Sequence, residues 1–161
     1  MNRRFVLFTI VAKHALAGGI LGNAVAKRAI HRTYYAVCSG CTPACMRISA
    51  PIARKDASTI ERCVDFKRGE NAVTDFIRIK YNPDNNLSLV KLRLLTGRTH
   101  QIRVHMKYIG FPLIGDFLYN PDYTYISRQA LHSGRLVFTH PVTGQKMNLI
   151  SDIPSDMKSL F

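Results

Sequence analysis

The sequence predicts an α+β domain in which strands and helices surround a sheet with an antiparallel hairpin. Within Leu87–Leu95, apolar and basic side chains alternate, which is typical of a strand with one buried face and one solvent-exposed face. The preceding Asn82–Asn86 is rich in Asn and Pro and predicts a turn that joins this strand to a β-prone stretch at Ala72–Tyr81. Residues Thr99–Ile109 carry apolar side chains at helical spacing, and a Gly and a Pro follow them.

The other elements are predicted from shorter patterns. Phe5–Ala12 is rich in aromatic and β-branched residues and indicates a buried strand, whereas Lys13–Ala29 has a helical apolar stripe that glycines weaken. Thr33–Val37 is again β-prone, so the chain begins as strand, helix, strand. Further strands are predicted at Leu131–Phe138 and Lys146–Ile150.

Composition and charge describe a folded, basic chain. Its 161 residues, 47% of them hydrophobic, suit a single domain over residues 1–161 and exclude a disordered chain. The 23 Lys and Arg against 10 Asp and Glu leave a formal charge of +13. Such an excess attracts polyanions, so we expect nucleic acid or an anionic membrane surface as the partner. A basic protein without such a ligand is the alternative.

The cysteines permit a metal site but do not favour one. Cys38, Cys41 and Cys45 have the spacing C-x2-C-x3-C, which can begin a zinc or iron–sulfur site. A fourth ligand would have to come from Cys63 or a distant His, without a second paired spacing. We therefore expect free thiols, no metal, and a loop-like segment from Cys38 to Asn71.

The N-terminus resembles a secretory signal only in part. Two arginines precede the apolar run Phe5–Ala12, but Lys13 and His14 interrupt it where a signal would continue. No stretch approaches the ~20 apolar residues of a membrane span. We expect a cytoplasmic protein that does not enter the membrane, with a small secreted basic protein as the weaker alternative.

Basic residues are concentrated where the helix at Thr99–Ile109 begins. Arg98, His100, Gln101 and Arg103 lie at or near its start. A helix N-terminus offers unpaired N–H groups and a positive dipole, and guanidinium groups beside it favour phosphate or carboxylate. A solvated basic helix face is the alternative explanation.

This segment also carries a family resemblance. G-R-T-H-Q-I-R-V-H, followed by I-G-F-P-L-I-G-D-x-x-Y, resembles the signature of the RluA/RluD-type RNA pseudouridine synthases. Supporting motifs follow in the family's order: R-T-Y-Y-A-V at Arg32–Val37, A-P-I at Ala50–Ile52, A-V-T-D-F at Ala72–Phe76, L-H-S at Leu131–Ser133 and F-T-H-P at Phe138–Pro141. The resemblance extends over nearly the whole chain.

The resemblance implies a mainly antiparallel, bent sheet with flanking helices and a uridine site in a basic cleft. Enzymes of this family flip a uridine out of RNA, break its N-glycosidic bond and rejoin the ring through carbon, without metal or organic cofactor. Flipping exposes a bond that a stacked base hides. The expected partner is ribosomal or transfer RNA, held largely through its backbone and therefore sensitive to salt.

The resemblance also assigns roles to residues. Tyr34 matches the tyrosine that stacks on the flipped base and serves in removing its C5 proton, and Arg103 matches the arginine that orients the catalytic aspartate. The predicted RNA-binding set is Arg98, His100, Gln101 and Lys107, with His100 and Gln101 in more supporting positions.

Three neighbouring residues are predicted to be structural. Tyr35 points to the opposite face of the strand and is assigned to packing, and Asp116 is expected to fix a turn. His105 is expected to support the site. A metal pair of His100 and His105 is disfavoured, because five-residue spacing does not align ligands on one helix face.

The resemblance fails at the nucleophile. The family aspartate lies in an H-R-L-D-x-x-T-S-G loop, and a gapless alignment on Ile10–Lys13 puts Asn2 in its place. An amide is neither a usable nucleophile nor a base at neutral pH. We therefore predict an N-terminally truncated catalytic domain in which Arg103 lacks its counter-ion. A non-catalytic RNA-binding remnant is the alternative function.

Overall fold

A six-stranded antiparallel sheet forms the centre of the fold. The computed structural model describes residues 8–56 and 60–161. The strands of the sheet are β1 (His31–Ser39), β2 (Cys45–Ser49), β5 (Val73–Asn82), β6 (Leu87–Leu94), β7 (Leu131–Thr139) and β8 (Lys146–Ile150). A separate two-stranded ribbon contains β3 (Ile52–Arg54) and β4 (Arg62–Val64), and the helices are α1 (Ala15–Ala26), α2 (Gln101–Tyr108) and α3 (Ser155–Lys158).

The order of the strands in the sheet is β2-β5-β6-β1-β7-β8, and each neighbouring pair is antiparallel. Two register irregularities interrupt the pairing. Between β1 and β7 the extra residue is Gly134 of β7, opposite Thr33 and Tyr34, and between β5 and β6 it is Ile79 of β5. Such bulges bend a strand and redirect the neighbouring side chains. The predicted α+β class and its mainly antiparallel sheet are confirmed.

The two faces of the sheet carry separate core clusters. Ile102 and Met106 of α2 pack on one face, against side chains such as Phe76 and Leu92. On the other face, Met157 of α3 joins a second cluster. The sheet is therefore covered on both faces, with α2 against the face that carries Tyr34.

The locally periodic elements were predicted close to their bounds. The β5–β6 hairpin, α2, β7 and β8 agree with the structure, and Val90 and Leu92 are buried while Lys91 and Arg93 are exposed. The turn between β5 and β6 includes Asn86 at a φ of 52°, a left-handed conformation that Asn tolerates. The periodicity of these segments was sufficient to predict them, because it reflects the burial of one face of each strand or helix.

Two predictions about the fold are wrong. Residues 8–12 of the predicted strand Phe5–Ala12 form no strand, and its first three residues lie outside the described part of the chain. The supposed loop Cys38–Asn71 contains β2, β3 and β4. These strands are short, and β2 buries only Ile48, so they lack the alternation that identifies a strand.

Helix α1 is confirmed but largely uncovered. Its sequence is almost wholly apolar, yet Ala17 is its one buried residue, and Leu16 and Val25 are exposed. The described part of the chain contains no helix with the length and apolarity that a membrane crossing requires.

Candidate active site

A basic cleft surrounds Tyr34. This residue lies on β1 opposite the β7 bulge, cross-strand from Leu92 on one side and Ser133 on the other. The cleft has a volume of about 520 Å³ and runs between the α1–β1 junction and the β6–α2 connection, a volume within the usual range for ligand sites. Its arginines are Arg28, Arg32, Arg93 and Arg98. No Asp or Glu is among the described residues that line it.

The half-buried phenol of Tyr34 is neutral at physiological pH. Burial raises the pKa of Tyr34, and the positive charge of Arg32 offsets only part of that effect. The ring can therefore stack on a planar base, and it enters any proton transfer as a neutral phenol rather than a phenolate.

Arg98 is the signature arginine that reaches the Tyr34 cleft. Its Nε donates to the Asn71 carbonyl at 3.1 Å, and its Nη1 pairs with Glu70. Arg98 also lines a second cavity, of about 490 Å³, on the side of the β3–β4 ribbon. Because it precedes the left-handed residue His100, Arg98 lies on the loop before α2 rather than on the helix.

Arg103 lies elsewhere. It is not among the residues that line the Tyr34 cleft, and its guanidinium forms two hydrogen bonds to Asp116, at 2.7 and 2.5 Å. Both side chains are buried, with 7% and 0% of their area exposed. The prediction that Arg103 lacks a counter-ion is therefore wrong. The convergence of Arg103 and Tyr34 on one uridine site stays a prediction, and Arg98 is the arginine of the motif that lines the Tyr34 cleft.

Asp116 fixes a turn, as predicted. Its Oδ1 accepts the backbone N–H groups of Leu118 and Tyr119 at 3.1 and 3.2 Å. Gly115 precedes it at a φ of 66°, against the carbonyl oxygen of Arg128. The I-G-D-x-x-Y motif is therefore a tight turn that is joined to α2 by the Arg103–Asp116 ion pair.

Gln101 is occupied within the protein. Its Oε1 accepts from the Thr96 hydroxyl at 2.8 Å and the Arg98 N–H at 2.9 Å. Its Nε2 donates to the Val73 carbonyl and the Thr74 hydroxyl, both at 3.0 Å. The side chain is buried and has no remaining hydrogen-bonding capacity. The RNA contact predicted for Gln101 is corrected to a structural role.

His105 continues the same hydrogen-bond chain. Its Nδ1 lies 2.9 Å from the Thr74 hydroxyl and its Nε2 lies 2.9 Å from the Ala50 carbonyl. Since the carbonyl can only accept, Nε2 carries the proton, and the Thr74 hydroxyl donates to Nδ1. The chain joins the A-P-I motif, β5 and α2, which explains why those motifs occur together.

This buried ring gives the stability of the protein a pH dependence. Burial holds the pKa of His105 below its usual value of 6.5, so the unfolded chain binds this proton more strongly than the folded chain does. The contribution of His105 to the free energy of unfolding is therefore complete above that value and decreases as the pH falls below it. We expect the melting temperature to decrease between about pH 7 and about pH 5, and to decrease less in His105→Gln. An unchanged slope in that variant would contradict the assignment.

His100 and Lys107 flank Tyr119 at the other side of α2. The Tyr119 hydroxyl accepts the Arg62 N–H at 2.9 Å and lies 3.0 Å from the His100 Nδ1. The pKa of His100 is lowered, chiefly by burial and also by Arg103 and Arg62, so its ring is neutral at physiological pH. Its Nδ1 can then accept a hydrogen bond from the Tyr119 hydroxyl. Lys107 is exposed, with its Nζ 5.6 Å from the centre of the Tyr119 ring. Contacts of His100 and Lys107 with RNA stay predictions.

The structure also shows the surroundings of Tyr35 and the state of the cysteines. Tyr35 packs against the second core cluster, on the face opposite Tyr34, as predicted. All four cysteines are free thiols. Within residues 8–56 and 60–161, no group of three or more His, Cys, Asp or Glu side chains is arranged to hold a metal ion.

Three of the four arginines around Tyr34 were not predicted at the site from the sequence. Arg93 was placed on the basic face of β6, but its position beside the cleft follows from the pairing of Thr33 with Arg93, which local pattern does not reveal. Arg28 spans the rim and donates to the Leu95 carbonyl at 2.7 Å. Arg32 is the one of the three that the sequence could have placed at the site. It lies two residues before Tyr34, and alternate residues of a regular strand share a face.

A basic cleft around an aromatic ring, on an antiparallel sheet, is typical of proteins that hold a nucleotide base and its phosphates. Comparison with known proteins gives the particular family. The model of the RNA pseudouridylate synthase family matches residues 9–108. The chain belongs to this family of RNA pseudouridine synthases, of the RluA/RluD type.

Relatives agree with this assignment, and a solved structure shares the fold. The uncharacterized RNA pseudouridine synthase YjbO of Bacillus subtilis (strain 168) is 46% identical over 154 residues, which cover 94% of this chain and 53% of the relative. Ribosomal large subunit pseudouridine synthase D of Zymomonas mobilis is 36% identical over 162 residues, covering 94% and 50%. The structure of human RNA pseudouridylate synthase domain containing 1 has a TM-score of 0.75 at 24% identity, covering 87% of this chain and 61% of the other. The chain spans about half the length of the curated relatives it matches.

Proposed function

We propose that this chain supplies the uridine-binding and RNA-binding part of an RNA pseudouridine synthase that acts on ribosomal or transfer RNA in the cytoplasm. The observation that supports this most strongly is the Tyr34 cleft, where one phenol ring stands among four arginines without a lining carboxylate. The ring suits a flipped pyrimidine, and the guanidinium groups suit its phosphates. Membership of the family supports the same reaction.

The reaction is an isomerisation. The bond between C1′ of the ribose and N1 of uracil breaks, the ring turns, and C5 forms a new bond to C1′. N1 gains a proton and C5 loses one, so no oxidant, reductant or cofactor is consumed. Tyr34 is proposed to stack on the base and to take part in the removal of the C5 proton.

The two signature arginines are proposed to have different tasks. Arg98 lines the cleft and is proposed to bind phosphate. Arg103 is proposed to be a positioning residue, because its ion pair with Asp116 holds α2 against the turn that follows it. The predicted catalytic role of Arg103 is retained only in this indirect form.

A second candidate function is RNA binding without catalysis. The observation that favours it is the absence of Asp and Glu among the described residues that line the Tyr34 cleft. Asn2, which the family alignment puts at the nucleophile position, lies outside the described residues. The same basic cleft would then hold RNA without breaking a bond.

Release of tritium from RNA labelled at C5 of uridine separates the two functions. A synthase releases label into water, and Tyr34→Phe is expected to reduce the rate by about 100-fold or more, because it removes a group that takes part in proton transfer. Binding of the same RNA should weaken steeply between about 50 and about 200 mM salt in both proteins. Salt-sensitive binding without release assigns the second function. Absence of both binding and release rejects the proposal.

A further inference from the structure

The second cavity, next to the Tyr34 cleft, has an unusual arrangement of charge. It has a volume of about 490 Å³ and lies between the β3–β4 ribbon and the loop before α2. Its charged lining residues are Arg54, Arg62, Arg68, Arg98 and Glu70. The four guanidinium groups thus face a space that contains one lining carboxylate.

Two of these arginines oppose each other. Arg54 and Arg62 are directly cross-strand partners on the ribbon, and like charges in that position destabilise a strand pair. Arg68 is neutralised by Asp56 and Asp65, and Arg98 by Glu70. Within residues 8–56 and 60–161, by contrast, no carboxylate forms an ion pair with Arg54 or Arg62. The fold therefore keeps an unfavourable pair of cations at the mouth of a cavity.

The cavity borders the candidate active site. Gly97 and Arg98 line both the second cavity and the Tyr34 cleft. A nucleic-acid strand whose base enters the cleft would therefore carry its backbone past Arg98 toward the ribbon. An anion between Arg54 and Arg62 would remove their repulsion and form charge-assisted hydrogen bonds.

We propose that this second cavity binds a backbone phosphate of the RNA, adjacent to the nucleotide whose base occupies the Tyr34 cleft. Arg54 and Arg62 hold the phosphate directly, and Arg98 connects the two sites. This inference rests on the proposed function and adds the β3–β4 ribbon to it as a phosphate-binding element.

Glu70 competes for the same positive charge. Its side chain is 70% exposed and its carboxylate pairs with Arg98 at the edge of the cavity. A phosphate that approaches must displace that carboxylate or lie beside it, which costs free energy in either case. Glu70 therefore weakens RNA binding, and a neutral side chain at this position should strengthen RNA binding.

The test uses the complete chain and a short fluorescein-labelled single-stranded RNA that contains uridine, with affinity measured by anisotropy at several salt concentrations. Arg54→Gln and Arg62→Gln are each expected to weaken binding by about 5–10-fold and to reduce the slope of log affinity against log salt by about 0.7 for the lost phosphate contact. Glu70→Gln is expected to tighten binding several-fold. The matched control is Arg135→Gln, because Arg135 is a strand arginine that is exposed, as Arg54 is, and lines neither cavity.

Melting temperatures distinguish a ligand role from a structural one. Removal of one of two opposed cations should leave the melting temperature of the free protein unchanged or higher, whereas loss of a structural contact would lower it. Affinities of Arg54→Gln and Arg62→Gln equal to that of the wild type, or an equal loss in Arg135→Gln, would overturn the inference and leave the proposed function standing. Failure of the wild-type chain to bind RNA would overturn both.

Discussion

Replacement of Asp116 by alanine is expected to lower the free energy of unfolding by about 3–5 kcal/mol, because it leaves the buried guanidinium of Arg103 without a counter-ion. The substitution also removes the acceptor for the N–H groups of Leu118 and Tyr119. Urea denaturation at neutral pH would show this as a lower midpoint with an unchanged slope.

Two controls make the result specific. The double variant Arg103→Met, Asp116→Leu removes both charges together and should recover most of the lost stability, since buried pairs are often replaceable by apolar side chains. Asp75→Asn breaks the exposed pair with Arg47 and should have little effect. A loss of less than about 1 kcal/mol in Asp116→Ala would contradict the importance assigned to the buried pair.

Gly115→Ala is expected to cost at least about 2 kcal/mol of stability, from a left-handed backbone and from overpacking. Gly115 has a φ of 66°, and a Cβ there would lie 2.1 Å from the carbonyl oxygen of Arg128. Because that neighbour is backbone, the turn itself would have to shift. Thermal unfolding followed by circular dichroism would measure the loss.

Gly144→Ala is the matched control for Gly115→Ala. Gly144 has a similar φ of 69° but no heavy atom within 4 Å of the added Cβ. Only the cost of the left-handed conformation, about 1–2 kcal/mol, should remain. Equal losses in the two variants would show that the turn accommodates the added methyl group and that the close approach is unimportant.

The parts of the fold that the sequence predicts well are those in which burial alternates locally. The apolar and basic positions of Leu87–Leu94 and the helical spacing around Ile102 and Met106 each define a buried face within one segment. The β3–β4 ribbon has too few residues to show a period, and its pairing is known only from the structure.

The site was harder to predict than the fold, as the two signature arginines show. Arg98 and Arg103 lie in one short motif, and both were predicted at the site, Arg98 as an RNA contact and Arg103 as the residue that orients the catalytic aspartate. The structure separates them because His100 takes a left-handed conformation between them, which leaves Arg98 on the loop and puts Arg103 on the helix. Neither that change of direction nor the pairing of Arg103 with Asp116 can be read from spacing, since both depend on tertiary contacts.

The hydrogen-bond chain through Gln101, Thr74 and His105 has a consequence for how relatives of this protein are recognised. Gln101 and His105 of the motif are buried, and their hydrogen bonds to Thr74 dock α2 against β5. Selection for a stably docked helix would preserve those residues in an active enzyme and in an inactive descendant alike. The motif therefore indicates a shared fold. Whether a chain that carries it is catalytically active has to be judged from the residues of the cleft.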